Sequence, residues 1–337
     1  MAARPGVGGP AGGQWAGGAG VGAPLRIATR ASALARWQAA HVADMLGRLG
    51  HETELVALRT AGDERSEVPI AALGATGAFV KEVQLAVLDG RADLAVHSAK
   101  DLPSGATPGL VIAAVPLRAD PRDALVGALL ADLAPGAVVA TGSPRRRAQL
   151  AWARPDLAFV ELRGSIETRL GRVPAGGAAV VAAAALDRLG LAGRAAQILD
   201  PDLMLPQVGQ GALAVECRAD DEELRAVLAG LDDAGSHRAL EAERAFLCKI
   251  GPGCALPIAA HSPPSAPAAG AAAGSAASAP GSAAAPLRLD ALLASFDGKV
   301  VLRRSGVGTD PTELGERLAA ELVESPQGAL LVEAYRR

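Results

Sequence analysis

Aromatic residues are scarce: phenylalanine, tryptophan and tyrosine make up 2% of the 337 residues, too few for the stacking surfaces of single-stranded nucleic-acid binders. An excess of charge is missing too, because 33 lysines and arginines stand against 36 aspartates and glutamates, a net of −3. That balance exerts no global pull on phosphate backbones or anionic membranes, so any anion site has to be local. Cysteine is also rare. Cys217, Cys248 and Cys254 are too few and too irregular for a disulfide framework, and an odd number in a long chain fits a reducing, cytoplasmic compartment. The first 24 residues hold no continuous apolar stretch, so they fail as a secretory signal or membrane anchor and read as a disordered leader.

What is present is alanine, valine and leucine in short runs, over a length that predicts two or three domains. LRIAT, from Leu25, reads as a buried strand, and Ser32 as the cap of a helix over about 33–48. The pattern recurs: Phe79, Val83 and Val87 mark a helix ending near Gly90, DLAVH (93–97) a strand, and GAVVAT (136–141), LAFVEL (157–162) and GAAVVAA (177–183) further strands, each followed by a turn and a helical stretch. Strands alternating with helices predict an α/β fold with mainly parallel sheets. PLRADPRD (116–123) and MLPQVGQGA (204–212) are the crossing points between two lobes, which places residues 25–116 and 212–230 in the first and 122–205 in the second. Residues 235–337 read as a smaller α+β domain, interrupted by an Ala/Ser/Pro/Gly insertion at 263–286 that cannot bury a core.

Ligands of open α/β sheets bind beyond the carboxyl ends of the strands. Here those ends collect polar residues: Arg30 and Ser32, then Ser98, Lys100 and Asp101, then Thr141, Ser143, Arg145 and Arg146, and finally Arg163 with Arg169 further on. In TGSPRRRAQL, Ser143 suits a helix cap and Pro144 the first helical position, yet three arginines crowd the turn where cations oppose the helix dipole. Something negative has to compensate: either nearby Asp or Glu in a solvated turn, or a ligand with several acidic arms gripped by guanidinium forks, Arg188 included.

Asp101, in VHSAKDLP, either caps a turn or serves as a carboxyl group that gives a proton to a leaving amine and then stabilises a cation. Cys254, in GPGCALP, sits on a glycine- and proline-flanked loop open to close approach. A lone cysteine is more often a buried small hydrophobe than a nucleophile. Zinc is a weak alternative, since neither the Cys248–Cys254 spacing nor His237 and His261 complete a standard ligand set. Cys217, within ALAVECR, reads as structural.

Taken together, LRIATRASALARWQA, GAFVKEV, ADLAVHSAKDLP, DPRDAL, TGSPRRRAQL, LRGSIETRL, ALDRLGL, LPQVGQGALAVECR, HRALEAERAFL and GPGCALPI resemble the hydroxymethylbilane synthases, or porphobilinogen deaminases, in family order over most of residues 25–262. The resemblance implies two periplasmic-binding-protein-like lobes plus a C-terminal α+β domain presenting the cysteine loop. It implies a transferase that condenses four porphobilinogen molecules head to tail with loss of ammonia, on a dipyrromethane cofactor held through a thioether by Cys254, and then hydrolyses off the linear tetrapyrrole. It assigns catalysis to Asp101. It assigns cofactor contacts to Ser98, Lys100, Thr141, Ser143, Arg145, Arg146, Arg169, Arg188 and Gln210, and substrate contacts to Arg30, Ser32 and Arg163. Two positions depart from the family pattern: Thr76 stands where a lysine is usual, and Gly142 where a second hydroxyl often stands.

Two other functions compete. A non-catalytic dicarboxylate-binding protein would use the same arginine-lined lobes without needing Cys254. A nucleic-acid binder built on the RRR run conflicts with the net acidity and the missing aromatics. The reading adopted is a monomeric, metal-free enzyme that engages neither membrane nor nucleic acid.

Overall fold

The computed structural model describes residues 23–58, 80–251, 256–264 and 285–336. Cys254, Thr76, Phe79, nearly all of the leader and most of the 263–286 insertion lie outside the described residues. Among the described residues no helix is long and apolar enough to cross a membrane.

Strand β1 (Leu25–Arg30) forms where Ile27 and Ala28 are both fully buried on opposite faces, the signature of a strand covered on both sides. Helix α1 (Ala33–Arg48) covers one face, packing Val42 and Leu46 with Ile27, Leu94 and Val215. Helix α2 (Lys81–Leu88) covers the other, packing Val83 and Val87 with Ala28 and Ala95. Strands β2 (Thr53–Leu58), β3 (Leu94–Ser98), β4 (Leu110–Ala114) and β10 (Leu213–Arg218) complete a five-stranded sheet of order β2-β1-β3-β10-β4, in which β10 runs antiparallel to both neighbours.

The second sheet repeats this plan. It contains β5 (Asp123–Val126), β6 (Val138–Ala140), β7 (Ala158–Val160), β8 (Ala178–Ala182) and β9 (Gln197–Ile198) in the order β7-β6-β8-β5-β9, with β5 antiparallel to its neighbours. In each sheet the antiparallel strand is the first one the chain makes after crossing over. Helices α3 (Pro144–Ala153), α4 (Ile166–Leu170) and α5 (Ala183–Arg188) follow β6, β7 and β8, and α6 (Glu222–Leu228) follows β10. The predicted strand over 136–141 is shorter in the structure, because Gly136 turns with φ +79° and Thr141 to Ser143 serve the cap of α3, and the strand predicted over 157–162 is confined to Ala158–Val160.

The third unit is an antiparallel sheet of β11 (Ile258–His261), β12 (Leu287–Ala294) and β13 (Val301–Gly308). Helices α7 (Ala234–Ile250), α8 (Pro311–Val323) and α9 (Pro326–Arg336) cover it around Phe246, Leu289, Leu293, Leu318 and Leu322. The fold is therefore α/β, with two mixed, mainly parallel sheets and a smaller α+β part, as expected from the sequence.

One carboxylate ties these parts together. Glu243 of α7 is 0% exposed and accepts from both terminal nitrogens of Arg118 (2.6 and 3.1 Å), from the Gly209 N–H (2.7 Å) and from the Ser262 N–H (2.8 Å), with His261 Nδ1 at 3.3 Å. Arg118 lies on the outward crossing, Gly209 on the return crossing and Ser262 just past β11, so three segments converge on two oxygens. Burial alone would raise the carboxyl's pKa, but Arg118 and His261 outweigh it and hold Glu243 at about 2 instead of 4.5. A depressed folded-state value contributes stability that is fully present above the unfolded value and is lost as pH falls from 4.5 through about 2, a contribution of roughly 3 kcal/mol. Glu243→Gln leaves the Arg118 guanidinium buried without its anion, and a loss of about 3–5 kcal/mol is expected. Urea unfolding at neutral pH checks this, and the gap between the two proteins should narrow in acid.

Candidate functional site

Two glycines fit the return crossing against the first lobe and the outward crossing. Gly209 (φ +70°) lies so near the turn after β3 that a Cβ would meet Ala99 C and Lys100 N at 2.9 Å, and a Cβ on Gly211 (φ +87°) would meet Ala119 O. This contact seats Gln210, fully buried, between the lobes. Its Nε2 donates to Pro121 O (2.7 Å) and Asp123 Oδ1 (2.9 Å), while its Oε1 accepts from Lys100 Nζ (3.4 Å) and Arg146 Nη2 (3.5 Å). With its amide engaged by protein groups, Gln210 acts as a strut between the strand ends of the two sheets.

The arginine turn resolves into inward and outward members. Ser143 caps α3 and Pro144 opens it, as the sequence predicts. Arg145 and Arg146 are only 2% and 6% exposed, whereas Arg147 lies outside, over the ring of Phe159. The compensating anion is Asp123, 0% exposed at the start of β5: Oδ2 meets Arg145 Nη1 and Oδ1 meets Arg146 Nη2, both at 2.8 Å. Burial would raise the Asp123 carboxyl's pKa, but the two guanidiniums outweigh it and hold it well below the usual range. The sequence reading had no role for Asp123. The available signal was the acid in DPRD standing where a buried strand begins, in a chain with an unexplained pair of arginines.

One carboxylate does not saturate two guanidiniums. Arg145 Nη1 also donates to Leu205 O (2.7 Å), but its Nε and Nη2, both buried, have no hydrogen-bond partner among the described residues. Arg145 also lines a pocket, together with Lys100, Ser143, Gln207 and Arg244 and with apolar residues that include Val208, Leu247 and Ile258. Leu247 and Leu256, which also line it, lie on either side of the segment that carries Cys254. Burial, reinforced by Arg146, pushes Lys100 down to about 8, and the same two causes push Arg169 down to about 10. This is a crowded cationic pocket with hydrogen-bond donors to spare.

A second cavity opens at the carboxyl ends of β1 and β3, where Arg30, Ser32, Gln38, His97, Ser98 and Asp101 line it. Ser32 caps α1 by accepting the Ala35 N–H (3.3 Å), and Gln38 Nε2 donates to Ser98 Oγ (2.8 Å). Asp101 ends a short 3-10 turn (Ala99–Asp101) and is exposed in this cleft. Lys100, the residue before it, faces the first cavity, so the SAKD turn is the wall between the two.

The other predicted residues take more local positions. Thr141 is buried and its Oγ1 accepts the Ser143 N–H (3.2 Å). Arg163 pairs with Glu161 (2.9 Å), and Arg169 Nε donates to Gly164 O (2.9 Å). Arg188 stands apart: its Nη2 donates to Gly211 O (2.7 Å) and its guanidinium lies 5.8 Å from the Trp37 ring centroid, which joins the lobes. Gly142 has a local cause, because a Cβ there would meet Leu162 O at 2.7 Å and Glu161 Oε1 at 3.0 Å, leaving no room for the hydroxyl the family pattern often carries.

Comparison with known proteins fits this arrangement. Residues 25–226 match the family model described as porphobilinogen deaminase, dipyromethane cofactor binding domain, and residues 238–324 match porphobilinogen deaminase, C-terminal domain. The chain is 45% identical to the porphobilinogen deaminase of Acidothermus cellulolyticus over 91% of both chains. It is 46% identical to that of Mycolicibacterium paratuberculosis over 89% of this chain and 94% of the relative, and 45% identical to that of a Roseiflexus species over 91% and 98%. With both lobes and the third sheet matched, and such identity along nearly the whole chain, this chain belongs to the porphobilinogen deaminase family.

Proposed function

We propose that this protein is a hydroxymethylbilane synthase, a transferase that joins four porphobilinogen molecules head to tail and releases the linear tetrapyrrole. The observation that carries the reading is the pair of cavities separated by the SAKD turn, one cationic with unsatisfied Arg145 donors and one containing Asp101.

A dipyrromethane suits the first cavity: its acidic arms would meet Arg145, Lys100, Ser143 and Arg244, and its rings the apolar side. Orphaned buried N–H groups are costly, and an anionic ligand removes that cost. Bound through Cys254, the cofactor supplies a pyrrole carbon as the starting point for chain growth. Arg146 and Lys100 are oriented for this by Asp123 and Gln210, so Gln210 contributes as a strut. Thr141 and Ser143 shape the start of α3, and Arg169 adds positive charge at the cleft. Arg188 contributes by holding the lobes through Gly211 and Trp37.

Porphobilinogen occupies the second cavity, where Arg30 and Ser32, with Arg163 from the other lobe, receive its carboxylates. Asp101 protonates the amine that leaves and, once ionised, faces the cation left behind. The enzyme works in the cytoplasm as a monomer.

Purified protein given porphobilinogen should release ammonia and hydroxymethylbilane in a ratio of four to one. Reversible binding of porphobilinogen with no ammonia released would instead indicate a dicarboxylate-binding protein.

A further inference from the structure

Arg145 is held in two different ways. Asp123 Oδ2 stands 2.8 Å from its Nη1 but has no hydrogen-bond partner among the described residues, so that ion pair supplies charge rather than direction. Direction comes from Leu205 O on the return crossing, which accepts from the same Nη1 at 2.7 Å. A guanidinium is a planar fork, and anchoring one terminal nitrogen along a hydrogen bond restricts where the others point. Here the others are Nε and Nη2, the buried donors left without a partner among the described residues.

Leu205 lies outside any helix or strand, so the position of its carbonyl has to be set from elsewhere. Gln149 does this. It lies one turn after Arg145 on α3, is 2% exposed, and pairs its side-chain amide with both polar groups of Leu205: Oε1 accepts the Leu205 N–H (2.8 Å) and Nε2 donates to Leu205 O (3.1 Å). Nε2 also reaches Arg145 O (3.4 Å), which ties the amide to the helical turn that carries the arginine. The third sheet completes the set. Arg303 of β13 donates from Nη2 to Gln149 Oε1 (3.2 Å), and Leu205 packs with Ala259, Leu292 and Ala294. A buried, uncharged side chain is thus engaged at both ends of its amide around one carbonyl, and nothing in the chemistry proposed above uses it.

We propose that Gln149 is a positioning residue for Arg145: by clamping Leu205 it sets the carbonyl that aims the guanidinium, so that Nε and Nη2 are held for the acidic arms of the dipyrromethane. This rests on the function proposed above. The effect is on acceptance of the primer, and Arg303 extends it to the third sheet.

The test uses full-length protein made in cells that synthesise no porphobilinogen, so that Cys254 is bare. Intact mass then follows the rate at which chains gain pyrrole units when porphobilinogen is added. Gln149→Met, close to glutamine in volume and without its polar atoms, should load about 10-fold more slowly than the parent at equal folded fraction, the worth of one ordinary hydrogen bond. Arg303→Met, at an exposed position of β13, should lose less in the same direction, and it takes the place of Gln149→Met throughout if that variant does not fold. Positioning is separated from packing in Arg145→Lys, which keeps the charge but not the fork. There Gln149→Met should change the loading rate by less than about 2-fold, because coupling through a partner disappears when the partner is removed. Loss by the same factor in both backgrounds, or parent-like loading by Gln149→Met, would overturn the proposal and leave Gln149 as packing. A parent protein that gains no pyrrole units and releases no ammonia would instead overturn the function on which it rests.

Discussion

Asp101→Asn is expected to lower kcat by about 10²- to 10⁴-fold, the usual worth of a positioned proton donor, while leaving the fold and the attached dipyrromethane in place. The separation of effects follows from position. Asp101 is exposed in the cleft at the end of a short turn, and substitutions at such positions usually change stability by no more than about 0.5 kcal/mol. Asparagine matches the carboxyl in shape but cannot give up a proton to an amine. Because the loss falls on the chemical step, kcat and kcat/KM should fall together, as when an interaction made only in the transition state is removed. Steady-state kinetics on protein with a verified melting curve checks this, and a variant within a few-fold of the parent would remove Asp101 from the chemistry.

Asp123→Asn is expected to act in the opposite manner, on structure first and chemistry second. Its carboxylate is completely buried and is met by Arg145, Arg146 and Gln210. Neutralising it leaves two guanidiniums side by side in a low-dielectric interior with no anion, and removal of one partner from a buried ion pair costs about 3–5 kcal/mol. Whatever folded protein remains should carry little dipyrromethane, because the cations proposed to receive its acidic arms are no longer held. Denaturant unfolding and the mass of the folded fraction measure the two effects. A stability loss under about 1 kcal/mol would mean that the arginines find other partners and that Asp123 is not their anchor.

Which residues could be read from the sequence follows from the range of the interactions. Strands such as LRIAT and the caps at Ser32 and Ser143 are encoded within a few residues, so periodicity and capping chemistry sufficed. The strand-end rule gathered Arg30, Ser32, Ser98, Lys100 and Asp101, because all of them end β1 or β3 or stand within three residues of that end. Residues that act through distant partners were not legible. Glu243 sits in HRALEAERAFL, where one more acid on a helix looks like a solvated face, and its role exists only because Arg118, Gly209 and Ser262 arrive from elsewhere. Asp123 was hidden likewise in a turn motif, and Gln149 in TGSPRRRAQL behind three arginines. Strands β2, β4 and β9 carried no distinct signal. The arginine turn was posed as either solvated or ligand-binding, and the structure gives a third answer: a buried pair with an internal anion and two donors left over.

Everything proposed for the two cavities depends on a pyrrole primer joined to Cys254. The direct measurement is the intact mass of the protein purified from cells that make porphobilinogen, followed by digestion to find the modified peptide. The account predicts a mass above that of the bare chain by one dipyrromethane, carried on the peptide containing Cys254, and further steps of one porphobilinogen less one ammonia when substrate is added. A preparation that turns over porphobilinogen while weighing no more than its sequence would contradict it.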